Sequence, residues 1–411
     1  MDGLKKFIKT ARAAMEKQFT ALTALTAANT LRAVEAMRAQ RIAYEHFTPT
    51  SGYAYNDAGR DKLEACAACI FGTEAALMRQ QIVSGSHAIS LALHGNLLPG
   101  DELVCLGLPY DTLQTIIGLT GAVPGSLAEL GVTCRILDVD FADPDVDAIV
   151  NALSPRSKML CIQRSRGYSW RKSLDIIQIE RITLAVKRTW PAVVVFVDNC
   201  YGEMVEAREP SHVGADLIAG SLIKNLGAGL TPGGGYVAGR AELVERAAVK
   251  LTVAGAGREV GASLLPNRLY YQALFMAPTI VAEALAGAVF TAHFLSSLGI
   301  EVSPAPYDTR TDIVQCARMP NKAALISFCQ GIQRYSPVES FFTPTPWPMP
   351  GYDNDIIMAS GGFIQGSSIE LSADAPLREP YLLFVQGGLS RHHTAWAIEQ
   401  TVRDMMSENL L

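Results

Sequence analysis

The chain has 411 residues, with 35 Lys and Arg against 40 Asp and Glu, a formal charge of −5. Hydrophobic residues make up 49% of the chain and charged residues only 18%. The slight acidity argues against a nucleic-acid-binding protein, which carries a basic stripe, and the apolar content argues against disorder. At roughly 150 residues per domain, this length predicts two or three domains with ample cores. The charged share is below the roughly 25% of an average globular domain, which needs an explanation.

The N-terminal sequence and the pattern of cysteines predict a cytoplasmic protein. The N-terminal segment has basic residues but lacks the apolar region and cleavage site of a signal peptide. Glu283 and His293 interrupt the longest apolar run, residues 277–295, so we expect a buried helix there and no membrane association. Cys66 and Cys69 form one CxxC within a helical pattern, without the four ligands of a structural zinc site. Helix packing is favoured over a metal or redox site, and the expected compartment is reducing.

Short apolar runs alternate with helical patterns from about residue 60 to residue 240. Near-continuous apolar runs, rather than alternating ones, are typical of strands covered by helices on both faces. The predicted strands are residues 79–83, 102–107, 132–137, 158–163, 192–198, 217–223 and 234–239. Their alternation with helices predicts an α/β fold with a mostly parallel sheet.

Composition along the chain suggests three parts. Residues 1–60 hold a helical segment and the Tyr/Gly-rich loop TSGYAYNDAGR, and residues 61–275 form the large α/β domain. Residues 276–411 form a smaller α+β domain, which includes the Pro-rich loop FFTPTPWPMPGYDND. Four aromatic residues in that loop predict an ordered, packed segment rather than a disordered one.

Asp198 and Lys224 form the most informative pair in the sequence. Each follows an apolar run, at the carboxyl end of a predicted strand, where open α/β sheets place their ligand sites. Buried lysines form Schiff bases, and a strand-end Asp can pair with the pyridine nitrogen of pyridoxal phosphate. Each residue alone is as compatible with a helix cap or a structural ion pair, but together they favour the cofactor site.

Two further segments extend this site. In VSGSHAISLAL (83–93), a turn after a strand opens an apolar helix, so its backbone N–H groups could bind a phosphate. An ordinary N-cap at Ser86 explains the same pattern. Tyr110 follows the strand ELVCL and could stack on a planar ring, or it could be an ordinary core or surface tyrosine.

Five segments together resemble one family: Y-x-x-x-x-R (Tyr55 to Arg60), SGSHA, PYDT, VDNCYGE and SLIKNLGAGLTPGGGYVAG. They are similar to pyridoxal-phosphate enzymes of the cystathionine β-lyase and methionine γ-lyase type, and most closely to the branch associated with aluminium resistance. The resemblance covers nearly the whole chain. It implies fold type I, with a seven-stranded sheet in the large domain and a smaller C-terminal domain. It also implies a homodimer or homotetramer with active sites shared between subunits.

The resemblance implies a carbon–sulfur lyase acting on a sulfur-containing amino acid, by β- or γ-elimination. Lys224 would hold pyridoxal 5′-phosphate as a Schiff base and remove the substrate Cα proton. Asp198 would face the pyridine nitrogen, and Tyr110 would stack on the ring. The alternatives are another fold-type-I chemistry, such as transamination or aldol cleavage, or a cofactor-binding stress or metal-resistance protein with weak lyase activity.

The resemblance also implies how the phosphate is held. Gly85, Ser86 and Ser221 would bind it from within the subunit. Tyr55 and Arg60 would reach it from a neighbouring subunit, although their spacing is wider than the Y-x-R of the better-known lyases. A shared site of this kind would make much of the surface an interface, which would account for the low charge.

Four residues are candidates around the cofactor and the substrate. His87 follows the phosphate turn and either packs near the ring or fills space. Arg378 is the candidate for the substrate α-carboxylate, because a guanidinium binds that planar anion with two parallel hydrogen bonds. Arg166 and Tyr168 belong to the basic run QRSRGYSWR. That run is either a solvated face or reaches the distal end of the substrate or a neighbouring subunit.

Overall fold

The structure, a computed structural model, describes residues 2–121, 123–349, 352 and 354–411. Its larger sheet contains seven strands: β1 (Ala75–Arg79), β2 (Glu102–Leu106), β3 (Thr133–Leu137), β4 (Ser157–Gln163), β5 (Val194–Asp198), β6 (Leu217–Ser221) and β7 (Gly235–Gly239). The strand order is β1–β7–β6–β5–β4–β2–β3. Strand β7 pairs antiparallel with both neighbours, and the other pairings are parallel. The prediction of a mostly parallel, seven-stranded sheet is confirmed.

Helices pack on both faces of this sheet. The α-helices are α1 (Asp2–Ala39), α2 (Ala58–Phe71), α3 (Gly85–Asn96), α4 (Asp111–Ile117), α5 (Val146–Ala152), α6 (Ile176–Thr189), α7 (Ala241–Leu251), α8 (Arg268–Ser297), α9 (Lys322–Arg334) and α10 (Arg391–Ser407). Successive strand residues alternate between two cores: Val195 and Val197 enter one, and Val194 and Phe196 enter the other. Because both faces are buried, the strands have the continuous apolar sequences from which they were predicted.

A second, smaller sheet lies in the C-terminal part of the chain. Its strands are β8 (Val302–Ser303), β9 (Val314–Arg318), β10 (Ile356–Ser360), β11 (Ser372–Pro376) and β12 (Leu382–Gln386). They pair antiparallel in the order β10–β11–β12–β9–β8. One face of this sheet packs on α9 and α10 in a third core. The second face turns toward the larger sheet and forms one wall of the site described below.

Helix α8 connects the two sheets. Its first half, including Tyr270 and Leu285, packs in the core of the large sheet, and its second half, including Val289 and Leu295, packs in the core of the small one. Among the described residues, it is the one helix long and apolar enough to cross a membrane. However, 72% of its most apolar stretch is buried inside the protein, which confirms the prediction of a core helix. The predicted domain boundary at residue 275 falls within this helix.

The first strand differs from its prediction. It covers Ala75–Arg79 rather than residues 79–83, so only Arg79 is shared. Gly72, at φ 61°, ends α2 with its C-cap in the left-handed region, and the segment AALMR that follows pairs with β7. Alanine and leucine have high helix propensity, and pairing with a buried neighbouring strand overrides it. The apolar residues after Arg79 belong to the turn before α3.

Arg79 ends β1 in a buried ion pair. Its Nε lies 2.7 Å from Oε1 of Glu64 in α2, and both side chains are buried. The guanidinium also donates to the carbonyl oxygens of Val260 (2.6 Å) and Arg258 (2.7 Å). The pair therefore fastens β1 to α2 and to the segment before α8.

Replacing Glu64 with Gln should lower the free energy of unfolding by about 3–5 kcal/mol, because it leaves the Arg79 charge buried without its counterion. Urea denaturation of the purified protein measures this loss. Glu301→Gln is the control, since its ion pair with Arg318 is exposed and should contribute at most about 1 kcal/mol. Equal losses in the two variants would contradict the structural role of the buried pair.

Candidate active site

The carboxyl ends of β5 and β6 bring the two central residues into one cavity. Asp198 is the last residue of β5, and Lys224 follows β6. Both line a cavity of about 250 Å³. Further predicted residues that line it are Gly85, Ser86, Tyr110, Tyr168 and Ser221. The cavity lies at the edge of the sheet where open α/β folds place their ligands.

Lys224 is surrounded by groups that favour its charged form. Its Nζ lies 3.9 Å from the centre of the Tyr201 ring, within the range of a cation–π contact. Burial lowers its pKa, but the nearby Cys200, Tyr201 and Asp198 side chains more than offset this and raise the pKa well above the usual lysine value. The ammonium group is therefore held among polarisable and acidic neighbours.

Asp198 is a buried carboxyl with a fixed orientation. Its Oδ1 accepts a hydrogen bond from the backbone N–H of Cys200 at 3.1 Å. Burial raises its pKa, and the charge of Lys224 opposes that increase. A buried carboxylate of this kind is strongly stabilised by a cation placed beside it.

Hydrogen bonds fix both the backbone and the hydroxyl group of Tyr110. Its backbone N–H donates to Oε1 of Gln163 at 2.9 Å, at the start of α4. Its hydroxyl shares a hydrogen bond of 3.1 Å with Ser86 Oγ, at the start of α3. Burial raises the pKa of Tyr110, so the phenol stays neutral. The aromatic ring is thus held rigidly in the cavity wall.

The turn before α3 has the form of an anion cradle. Ser84 caps the helix, since its Oγ accepts from the backbone N–H of His87 at 3.0 Å. The cavity-lining N–H groups of the first helical turn then have no carbonyl partner within the helix. A Cβ at Gly85 would lie 3.0 Å from the Cβ of Ser221 and 3.3 Å from the Sγ of Cys200. Glycine therefore keeps the backbone close to β6 and leaves room for an anion.

Two predicted residues lie just outside the cavity. His87 turns back on its own helix, where its Nδ1 accepts from the backbone N–H of Val83 at 3.2 Å, and burial lowers its pKa. Arg166 is buried and donates to Ser303 Oγ at 3.0 Å, which links the loop after β4 to the small sheet. These placements match the space-filling alternative for His87 and a connecting contact for Arg166.

Three other predicted residues are not part of the cavity lining. Tyr55 is exposed and stacks on Tyr53, with ring centres 5.7 Å apart. Arg60 is buried near it and donates to the carbonyl oxygens of Ala54 and Gly261, outside the cavity. Arg378 is exposed and lines an adjoining pocket with Tyr168 and Tyr352. The described lining of the central cavity includes one Lys and no Arg.

The cavity also contains residues that sequence reasoning missed. They include Gln163, Cys200, Tyr201, Tyr352, Phe384 and Gln386. Position at the carboxyl end of a strand would have indicated Gln163, as it indicated Asp198. Tyr352 lies in the Pro-rich loop, part of which falls outside the described residues, and its ring is 5.9 Å from that of Tyr168. Its position depends on long-range packing, which left no local signal.

A second buried acid lies behind Lys224. The Oε1 of Glu203 accepts a hydrogen bond of 2.9 Å from the hydroxyl of Tyr236, and burial raises the pKa of Glu203 to about 8. It would lie 2.5 Å from a Cβ at Gly220, so the glycine in β6 makes room for it. Its charge therefore depends on pH in the neutral range, close to the site.

Comparison with known proteins identifies the family. A family model described as methionine gamma-lyase matches residues 4–406. The chain belongs to the methionine gamma-lyase family. Within it, the uncharacterized protein YnbB of Bacillus subtilis is 48% identical over 377 residues, which cover 91% of this chain and 90% of YnbB. The resemblance found in the sequence motifs is confirmed.

Two more members relate the family to named activities. The crystal structure of a carbon-sulfur lyase involved in aluminum resistance from Clostridium novyi NT is similar at a TM-score of 0.94 and 43% identity, over 98% of this chain and 96% of that chain. The L-methionine gamma-lyase of Pseudomonas putida is 32% identical over 206 residues, which cover 50% of this chain and 46% of that enzyme. The first match covers both sheets and α8.

The family implies pyridoxal phosphate, and the cavity fits that group. The cradle at Gly85 suits a phosphate, since a side chain would fill the space. Lys224 would supply an amine for the aldehyde, and buried Asp198 would supply a counter-charge for the pyridine nitrogen. The rigid ring of Tyr110 supplies a stacking surface. Each chemical part of the cofactor has a matching group in this site.

The buried Glu203 should make stability depend on pH. Its pKa is about 8 in the folded protein against 4.5 for an ordinary Glu, so the folded state keeps a proton that the unfolded chain releases. The free energy of unfolding should therefore fall between about pH 5.5 and 7.5, by up to about 1.4 kcal/mol per pH unit from this group. In Glu203→Gln that contribution disappears, which urea denaturation across the range measures. Parallel pH profiles for the variant and the wild type would contradict this role of Glu203. The control Glu301→Gln should show the same change in unfolding free energy with pH as the wild type.

Proposed function

We propose that this protein is a pyridoxal-phosphate-dependent carbon–sulfur lyase that acts on a sulfur-containing amino acid. The observation that carries the proposal is the convergence of Lys224, Asp198, Tyr110 and the Gly85 turn on one cavity. The names of the Clostridium novyi and Pseudomonas putida relatives support the same reaction class. The overall reaction converts a thioether amino acid and water to a thiol, a 2-oxo acid and ammonium.

Each residue has one proposed task. The Nζ of Lys224 would hold the cofactor and would remove the proton from the substrate Cα. Asp198 would hold a proton on the pyridine nitrogen, where the cofactor would supply an electron sink for the reacting carbon. The N–H groups of the α3 turn and Ser221 bind the phosphate. Tyr110 keeps the ring plane fixed through its two hydrogen bonds.

The aromatic part of the cavity wall is proposed to orient the substrate. Tyr168, Tyr352 and Phe384 form an aromatic layer, with Tyr168 centred 5.2 Å from Phe384. Arg378 lies beyond this layer and is proposed to bind the substrate α-carboxylate when the substrate fills the space between the two pockets. Such a layer excludes water from the reacting carbon, which strengthens the electrostatic interactions within the site.

A second subunit is proposed to complete the site. Tyr55 is exposed together with Tyr44, Tyr53 and Leu264, so the face around it presents several large apolar side chains. Faces of this kind mark interfaces. Packed on another copy, this face would bring Tyr55 to the neighbouring phosphate, whereas Arg60 is buried and would have to leave its bonds to Ala54 and Gly261 to reach it.

Lys224→Ala should lose the visible absorbance of the lysine-bound cofactor and at least about a thousandfold in turnover, because both the attachment and the proton transfer are removed. Activity is measured as 2-oxo acid, thiol and ammonium released from cystathionine, cysteine, methionine and S-alkylcysteines. Lys158→Ala, an exposed position in β4, should keep both properties. Full turnover by the Lys224 variant would refute the assignment. A 2-oxo acid formed without ammonium would instead indicate transamination.

Mixing two defective variants tests the shared site. Tyr55→Ala lacks the tyrosine that is proposed to complete the active site of the neighbouring subunit. Lys224→Ala lacks the lysine of its own active site. When the two are refolded or co-expressed together, mixed oligomers should regain about a quarter of the wild-type sites, because random pairing leaves one intact site in each mixed dimer. The measurement is specific activity against mixing ratio. Tyr55→Ala with undiminished activity alone, or mixtures no more active than their components, would contradict a shared site.

A further inference from the structure

The small sheet places an acid next to the cavity wall. Asp374 is in the middle of β11, paired with Phe384 of β12. Cross-strand partners project to the same face of a sheet, and Phe384 and Gln386 on that face line the cavity. The flanking Ala373 and Ala375 project to the opposite face and pack in the third core. The carboxyl of Asp374 therefore lies on the cavity side of the small sheet, next to the lining residues Phe384 and Gln386.

The hydrogen bonds of Asp374 leave one oxygen for a ligand. The Nε2 of Gln386 donates to its Oδ2 at 2.6 Å, and the hydroxyl of Tyr168 lies 3.4 Å from the same oxygen. Both partners are lining residues of the cavity. Within the described part of the chain, these are the side-chain hydrogen bonds of this carboxyl, so Oδ1 is the acceptor that remains.

The carboxyl also lacks an adjacent cation. Among the described residues, no Lys or Arg nitrogen lies within 4.0 Å of it, in contrast to the paired carboxylates of Glu64 and Glu283. Burial raises the pKa of Asp374 to about 7, against the lowering effects of Tyr168, Gln386 and Lys224. A buried carboxyl in this position is unfavourable as an anion until a cation is placed beside it.

We propose that Asp374 is a specificity-determining residue that selects substrates with a cationic group beyond the sulfur atom. This inference rests on the proposed lyase function. With the substrate α-amine at Lys224, the chain beyond sulfur would extend along the small-sheet side of the cavity, where Gln386 lines the wall and Asp374 is hydrogen-bonded to it. A primary ammonium there gives Oδ1 a charge-assisted hydrogen bond and supplies the missing counter-charge. A neutral alkyl thioether gives neither and leaves the carboxyl unpaired.

Two isosteric substrates isolate this effect. S-(2-aminoethyl)-L-cysteine and S-propyl-L-cysteine have equally long side chains, and both are eliminated to pyruvate, ammonium and a thiol by addition of one water. The holoenzyme should prefer the aminoethyl substrate in kcat/KM. Asp374→Asn should reduce that preference by roughly tenfold to a hundredfold, the usual effect of a hydrogen bond to a charged group. Asp404→Asn, which removes a carboxylate from α10 far from the cavity, should keep the wild-type preference.

Equilibrium binding separates this inference from the lyase proposal. L-Lysine and L-2-aminoheptanoate match the two substrates in length but have no sulfur to eliminate. Their dissociation constants, from the change in cofactor absorbance or from calorimetry, should differ in the wild type and converge in Asp374→Asn. If neither cysteine derivative is eliminated but lysine is still preferred, the lyase proposal fails and the role of Asp374 stands. If the variant loses affinity equally for both ligands, or keeps the preference, the role of Asp374 is refuted.

The pH profile adds a signature that a structural role would not produce. The titratable groups facing Asp374 are Tyr168, Tyr201, Tyr352, Cys329 and Lys224. The pKa of each is raised, chiefly by burial for the tyrosines and the thiol and by nearby acidic groups for the lysine. Asp374 is thus the member that ionises near pH 7. Preference for L-lysine over L-2-aminoheptanoate should rise between about pH 6 and 8 in the wild type, since the ligand ammonium stays charged throughout. A flat wild-type profile, or the same rise in Asp374→Asn, would count against the inference.

Discussion

The attraction between the Lys224 ammonium and the Asp198 carboxylate lies at the centre of this fold. Both groups are buried at one edge of the parallel sheet, where an unpaired charge would be costly. Each moderates the environment of the other: Lys224 limits the rise in the pKa of Asp198, and Asp198 helps to raise that of Lys224. The surrounding polar contacts, from Cys200 to Tyr201, serve the same two charges. A cofactor held by the amine would find a counter-charge for a protonated ring nitrogen already in place at the acid.

The buried carboxyl groups in this region differ in the hydrogen-bond donors and cations that stabilise their charge. Asp198 has a backbone N–H and a nearby lysine, Glu203 has the hydroxyl of Tyr236, and Asp374 has an amide and a distant tyrosine hydroxyl. Burial raises the pKa of all three carboxyls, to about 8 for Glu203 and about 7 for Asp374. The charges of Glu203 and Asp374 therefore respond to pH in the neutral range.

The parts of the site that the sequence predicts are those set by local rules. Asp198 and Lys224 follow apolar strands, and Gly85 opens a helix, so the geometry of parallel sheets brings them together. The small-sheet wall follows no such rule, because Phe384 and Gln386 reach the cavity only through the packing of one sheet against another. The first strand shows the same limit: the segment from Ala75 has helix-forming residues, and its pairing with β7 decides its conformation. Tyr55 and Arg60 are recognisable by motif, yet the task proposed for them depends on a second chain.

The shared helix α8 has a consequence for how this chain can be divided. Because Tyr270 and Leu285 belong to one core and Val289 and Leu295 to another, a cut on either side of the helix exposes one of its apolar faces to water. A fragment ending before α8 would lack the helix residues that pack in the core of the large sheet. A fragment beginning after α8 would lack those that pack in the core of the small sheet. We therefore expect the two sheets and α8 to unfold as one cooperative unit. In a hybrid with a relative, α8 and both sheets would have to come from the same protein.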